Sequence, residues 1–328
     1  MSKKEAKKQA KQQEESKSKI NFEEIIMNNL SGFKMVQDNS GFHFTILNLN
    51  QKNVDVLTQT FGNYKYIESI DLSGNNITEI VQLSQLPYLI RLNVEGNNIK
   101  DLKSLANEEA FKSLKYLNAA SNKLVELGPI KVPLIQLNLN DNKIEKMDTF
   151  DGNPKLRQLY LKRNKIAALT QFQNLPELKE LKLSENKIKA IQGIELLTSI
   201  QILQLRKNLI EGFDETFPVL ENIVHFDIRE NKIDKFDEIT KLQTLPNLKR
   251  LLYKGNPFES KSPNYLLDTI NIMVRLEKIN NIFVTKQLKE KAFSFAKDKY
   301  DREVEQKRLQ EEEERAKEAA ALAAQQDQ

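Results

Sequence analysis

Between residues 178 and 191 the chain reads LKELKLSENKIKAI, with apolar residues at Leu178, Leu181, Leu183, Ile188 and Ile191 and an asparagine at Asn186. The pattern L-x-x-L-x-L-x-x-N-x-I-x-x-I returns along most of the chain. Its asparagine marks nine positions, Asn75, Asn97, Asn122, Asn142, Asn164, Asn186, Asn208, Asn231 and Asn256, spaced by 20 to 25 residues. The Leu-x-Leu pair alternates as a short strand with one buried face must. The asparagine carries a side-chain donor and an acceptor, enough to satisfy backbone groups in the turn that leaves the strand. One such unit cannot bury its apolar face alone, so neighbours stack. Nine parallel strands at about 4.8 Å spacing give an arc roughly 40 Å long.

A constant period of this size is a leucine-rich repeat signature. The predicted fold class is α/β: a leucine-rich repeat solenoid with a curved parallel sheet on the concave side, helical caps and a long C-terminal helix. The predicted division is a disordered basic tail over 1–19, an N-terminal cap with a degenerate first repeat over 20–58, the repeats over 59–258, a C-terminal cap over 259–285 and a charged helical tail over 286–328.

The flanks support that division. Residues 1–19 are lysine, glutamine and glutamate without an apolar stripe. From Ile20 to Leu30 apolar residues fall at Ile20, Phe22, Ile25, Ile26 and Leu30, which predicts a short capping helix with Asn21 as N-cap. Phe42, Phe44, Ile46, Leu47 and Leu49 read as a degenerate first strand, with Lys52 where the marker asparagine would stand. Two longer return segments, 102–114 and 236–248, have helical spacing and predict convex-side helices. Leu-Pro precedes a strand at Pro87, Pro176 and Pro246, where a fixed φ suits strand entry. Residues 263–280 show helix-like spacing and predict a cap over the last strand edge. Residues 286–328 hold almost no helix breakers. Pairs such as Glu303 with Lys307 and Glu311 with Arg315 suit a helix surface. There is no sustained heptad.

Composition then narrows the chemistry. The 328 residues contain no cysteine and carry a formal net charge of +4 from charges of both signs, too balanced to argue for nucleic acid. No apolar run approaches a membrane span, and the lysine-rich start lacks a signal-peptide core. Both points predict a soluble protein. The two histidines, His43 and His225, stand in no metal-ligand spacing and beside no nucleophile motif, and the ten glycines form no phosphate loop. The expectation is a non-enzymatic chain with no cofactor, metal or small-molecule substrate.

Function is then expected on the outward strand positions. In the early repeats these are Ser69, Asp71, Arg91, Asn93, Glu95, Tyr116, Asn118, Gln136, Asn138, Asn140 and Asp141, a polar and near-neutral set. Later they include Arg157, Tyr160, Lys162, Arg163, Lys182, Arg206, Lys207, Arg229, Arg250 and Lys254, diluted by Glu180, Glu185, Asp227 and Glu230. Tyr116, Tyr160 and the cations from Lys162 to Lys254 in that set are the candidate partner-binding residues. The concavity should grade from neutral to basic and meet an acidic protein surface.

The repeat, with N-K-I or N-N-I after the strand, resembles the short intracellular leucine-rich repeats, a subclass holding a phosphatase-1 regulatory subunit, dynein light chain 1 and several axonemal proteins. EEIIMNNLSGF followed by DNSGFHFTILNLNQKNVDVL is similar to the pre-repeat cap of the radial-spoke leucine-rich repeat proteins of motile cilia. ITKLQTLPNLKRLLYKGNPFESKSPNYLLDTINIMVRLEKIN is similar to the last repeat and cap of that family. The resemblance implies a non-enzymatic scaffold of the ciliary axoneme at a radial spoke, the third one. It implies spoke subunits and other axonemal proteins as partners, with no membrane and no nucleic acid. The competing reading is a regulatory subunit of a protein phosphatase 1-type enzyme. That reading calls for several large aromatics on the concave face, whereas this chain has no tryptophan and places only Tyr116 and Tyr160 at the outward positions.

Overall fold

The computed structural model describes residues 22–326 except 37, 39, 171 and 216, with side chains as far as residue 317. The predicted basic tail over 1–19 and the N-cap at Asn21 lie outside the described residues.

A helix over residues 22–28, α1, opens the described chain. An antiparallel hairpin follows, β1 (Leu30–Met35) with β2 (Phe42–Asn48). Nine three-residue strands come next: β3 (Ser69–Asp71), β4 (Arg91–Asn93), β5 (Tyr116–Asn118), β6 (Gln136–Asn138), β7 (Gln158–Tyr160), β8 (Glu180–Lys182), β9 (Ile202–Gln204), β10 (His225–Asp227) and β11 (Arg250–Leu252). A second hairpin, β12 (Lys278–Ile279) with β13 (Ile282–Phe283), closes the sheet. The thirteen strands lie in chain order and pair in parallel from β2 to β12.

In each repeat the middle strand residue points inward. Leu137, Leu159, Leu181 and Leu203 are fully buried, with their flanking residues half-buried on the other face. Stacked repeats merge these side chains into one continuous core from Ile26 to Ala292.

The marker asparagines do more than cap their own turn. Asn186 accepts at Oδ1 from the Ile166 amide of the preceding repeat at 3.0 Å. It donates from Nδ2 to the Leu161 carbonyl of that repeat at 2.9 Å and to its own Leu183 carbonyl at 3.0 Å. The same cross-repeat bonds recur from Asn75 and Asn97 through to Asn231 and Asn256. All nine asparagines are buried. Buried amides must find partners, so the ladder is a seam between repeats.

The residue before each asparagine has positive φ. Glycine fills three of these positions, Gly74, Gly96 and Gly255. Ser121, Asp141, Arg163, Glu185, Lys207 and Glu230 fill the other six, with φ between 53° and 60°. The left-handed turn aims each amide at the next repeat, as from Glu185 to the Arg206 carbonyl at 2.8 Å.

Several expectations are corrected. The capping helix ends at residue 28 instead of Leu30, where an additional strand, β1, begins. Segment 102–114 forms only a single 3-10 turn, Lys103–Ala106, followed by non-helical turns. Segment 236–248 does hold a helix, α2 (Asp237–Thr240), which continues as the 3-10 turn Lys241–Thr244. In the C-terminal cap, α3 (Phe258–Lys261) and α4 (Tyr265–Ile272) give way to the β12–β13 hairpin, so the cap lengthens the sheet instead of only covering it. The tail is one helix, α5 (Lys286–Gln326). Its first turns dock through Leu288 and the fully buried Ala292, and residues 297–317 are exposed. On α5, Arg308 pairs with Glu305 and Glu312, in place of the expected pairs.

Candidate partner-binding face

The parallel register lines up equivalent positions of successive repeats. The first strand positions form a row running Tyr116, Gln136, Gln158, Glu180, Ile202, His225, Arg250 and Lys278. Tyr160 and Lys182 stand side by side in the row of third strand positions. The side chains of both rows leave the concave face of the arc.

The left-handed turns form a further row, and its charges alternate: Asp141, Arg163, Glu185, Lys207, Glu230. Arg163 bonds Asp141, donating from an Nη to its second oxygen at 2.7 Å, and lies 3.9 Å from Glu185. Lys207 lies 3.8 Å from Glu230. Opposite charges on neighbouring strands support each other, and each exposed pair contributes about 0.2–1 kcal/mol.

Most of the predicted cations are matched in this way. Lys162 contacts Glu185 at 3.1 Å and Lys182 contacts Glu180 at 2.8 Å. Arg206 donates from Nε to Glu230 at 2.6 Å. Arg229 holds the buried Asp227 with bonds of 2.9 and 2.6 Å, and this keeps its guanidinium firmly charged. Lys182 also sits over the Tyr160 ring at 4.4 Å, and Arg91 over Tyr116 at 4.8 Å. Burial works to raise the Glu180 carboxyl, but hydrogen bonds from Lys182, Tyr160 and Gln158 outweigh it and hold Glu180 below the usual range. Burial, with the bond to Glu180, pushes the Tyr160 hydroxyl up. The basic grade expected along the arc is therefore largely neutralised within the fold.

Two predicted cations differ. Arg250 and Lys254 are exposed and have no carboxylate partner among the described residues. Arg250, His225, Arg229 and Lys278 help line a depression of about 370 Å³ at the C-terminal end of the concavity. His225 is half-buried, and desolvation, aided by Arg250, lowers its pKa, so the ring stays neutral at pH 7.

The pairings come from the stacking: the five alternating residues each precede an asparagine, but only the repeat-on-repeat register sets them side by side. The helix-like spacing of 263–280 conceals Lys278, which lies past α4 on strand β12. The N-terminal lip was also missed. Phe33, Met35, Phe42, Phe44 and Ile46 are exposed on the first hairpin, with Phe33 5.7 Å from Phe42 and 5.1 Å from Phe44. The signal was a strand apolar on both faces: Leu47 points to the core while Phe42, Phe44 and Ile46 cannot.

No group of three or more His, Cys, Asp or Glu among the described residues could hold a metal ion. No helix among them is long and apolar enough to cross a membrane.

Comparison with solved structures places this architecture. A leucine-rich repeat protein of Leptospira interrogans superposes with a TM-score of 0.60 at 24% identity, over 71% of this chain and 60% of that one. The fold is a leucine-rich repeat solenoid. The leucine-rich repeat domain of APL1B gives 0.56 at 21% identity, over 65% of this chain and 62% of the domain. The LRIM1/APL1C complex gives 0.57 at 20% identity, over 65% of this chain and 39% of the other. These likenesses speak for the fold alone. In sequence, the chain is 29% identical over 83 residues to leucine-rich repeat-containing protein 23 of Xenopus tropicalis. The match takes in 25% of this chain and spans about a quarter, 23%, of that relative. No family model matches the chain.

Proposed function

We propose that this solenoid is a non-enzymatic protein-interaction scaffold of the ciliary axoneme, a component of the third radial spoke needed for spoke assembly and motility. The partial likeness to leucine-rich repeat-containing protein 23, together with the two cap segments, supports the ciliary setting. The observation that carries the binding role is the concave face itself. Its backbone is held from behind by the asparagine seam, and its outward side chains form an ordered, half-exposed surface. A face pre-organised in this way loses little conformational entropy on binding.

The partner is a protein that presents acidic groups to the C-terminal end of the arc. Lys162, Arg206 and Arg229 already have carboxylates of their own, so Arg250 and Lys254 are the cations that meet it. Reversing both, with Arg250→Glu and Lys254→Glu, weakens the contact.

Cross-linking with mass spectrometry on isolated cilia tests the reading. Links from Lys254, Lys278 and the α5 lysines to radial-spoke subunits are expected. Absence of the protein from cilia, or links chiefly to a phosphatase catalytic subunit in the cytosol, would overturn it.

A further inference from the structure

Arg250 and Lys278 are register partners on adjacent parallel strands, so their side chains leave the sheet side by side on the concave face. Like charges directly opposite one another repel. Elsewhere on this face the fold answers each such problem with a carboxylate, as Glu185 and Glu230 do for their neighbours. Here it does not: neither Arg250 nor Lys278 has a carboxylate partner among the described residues. Glu277, beside Lys278 in sequence, pairs with Lys249 instead, at 2.9 Å. The Lys278 ammonium rests over the Phe283 ring at 4.7 Å, which accommodates its charge without cancelling it.

Both cations line the 370 Å³ depression, whose two acidic residues, Glu185 and Asp227, are already engaged by Lys162 and Arg229. The depression thus presents two positive charges, from residues on adjacent strands, that no carboxylate answers. A single carboxylate would leave one of them unanswered. A phosphomonoester carries about −1.5 to −2 charge at pH 7 and three acceptor oxygens. It can take a forked pair of bonds from Arg250 and still reach the ammonium of Lys278.

We propose that the C-terminal depression is a seat for a phosphorylated serine or threonine of the partner protein, held by Arg250 and Lys278. The proposal rests on the concave-face reading above and adds a condition to it: phosphorylation of the partner governs this contact.

The test uses the full chain and immobilised degenerate peptides in three arms, with a fixed central phosphoserine, a central Glu-Glu pair or an unmodified serine. The phosphoserine arm is expected to retain the protein, and Arg250→Gln or Lys278→Gln to cut retention at least tenfold. Arg250→Lys should restore only part of it, since the charge returns without the fork. Thermal melting of both glutamine variants should equal or exceed that of the parent, because a repulsive pair has been removed. Equal retention by the Glu-Glu or serine arm, no retention in any arm, or phosphoserine retention indifferent to both substitutions overturns the proposal. Cross-links from Lys254 to spoke subunits would still stand after any of those results, so failure of the seat is distinguishable from failure of the scaffold reading.

Discussion

Replacing Asn186 with alanine tests the seam on which the whole face depends. The consequences differ atom by atom. The carbonyls of Leu161 and Leu183 are shared along the ladder: Asn164 also donates to Leu161 at 3.1 Å, and Asn208 to Leu183 at 2.9 Å. Each therefore keeps one donor after the substitution. The Ile166 amide has no such reserve, since its partner is the Asn186 Oδ1 at 3.0 Å. Orphaning one buried donor costs about 1–3 kcal/mol, and two weakened bonds add about 1 kcal/mol more. The expected loss is roughly 2–4 kcal/mol, confined to the two repeats that meet there, because solenoid stability is a sum of nearest-neighbour terms. With a urea slope of about 3 kcal/mol/M, the midpoint falls by about 1 M. Hydrogen exchange read at Ile166 should lose its protection first. Asn186→Asp separates the two halves of the argument. It keeps the acceptor for Ile166 but sets a buried carboxylate against two carbonyl oxygens. That carboxyl prefers its protonated form in the folded state, so its folded pKa lies above the unfolded value. The variant should be poorest near neutral pH and recover as pH falls toward 4. A midpoint shift below about 0.3 M in the alanine variant, with Ile166 still protected, would refute the seam.

Other outcomes follow from the same geometry. Gly193→Ala should cost about 2 kcal/mol or more by chemical denaturation, because φ there is +95° and a Cβ would lie 2.7 Å from the Thr170 Cα. Lys207→Gly should be neutral or stabilising by up to about 1 kcal/mol, since glycine relieves a left-handed residue whose ion pair with Glu230 is exposed; a loss above 1 kcal/mol would contradict this. Deleting residues 301–328 should leave the melting temperature within about 1 °C, because α5 packs on the solenoid through its first turns. His225 has a lowered folded pKa, so the unfolded chain takes up its proton first as pH falls. Stability should be intact above the ordinary histidine value of 6.5 and decline below it, and His225→Gln should flatten that slope in pH-dependent thermal melts.

The solenoid is legible in the sequence alone. A strand signal and an asparagine recurring every two dozen residues admit one architecture, because only stacking buries the apolar face of so short a unit. The run of helix formers after Thr285 likewise fixed a single helix without tertiary help. The tertiary structure decided three other things. The asparagine bonds run between repeats, and a local pattern cannot say which chain segment will lie 3 Å away. The charges of the concave face cancel in pairs, because register brings Asp141, Arg163, Glu185, Lys207 and Glu230 into one row although 20 or more residues separate each from the next. Each end of the sheet closes with a hairpin, because an unpaired strand edge is there to be met: the helical spacing of 263–280 does give α4, but the last residues of that segment pair as β12. That last pairing sets Lys278 beside Arg250 and leaves the two charges that nothing in the fold answers.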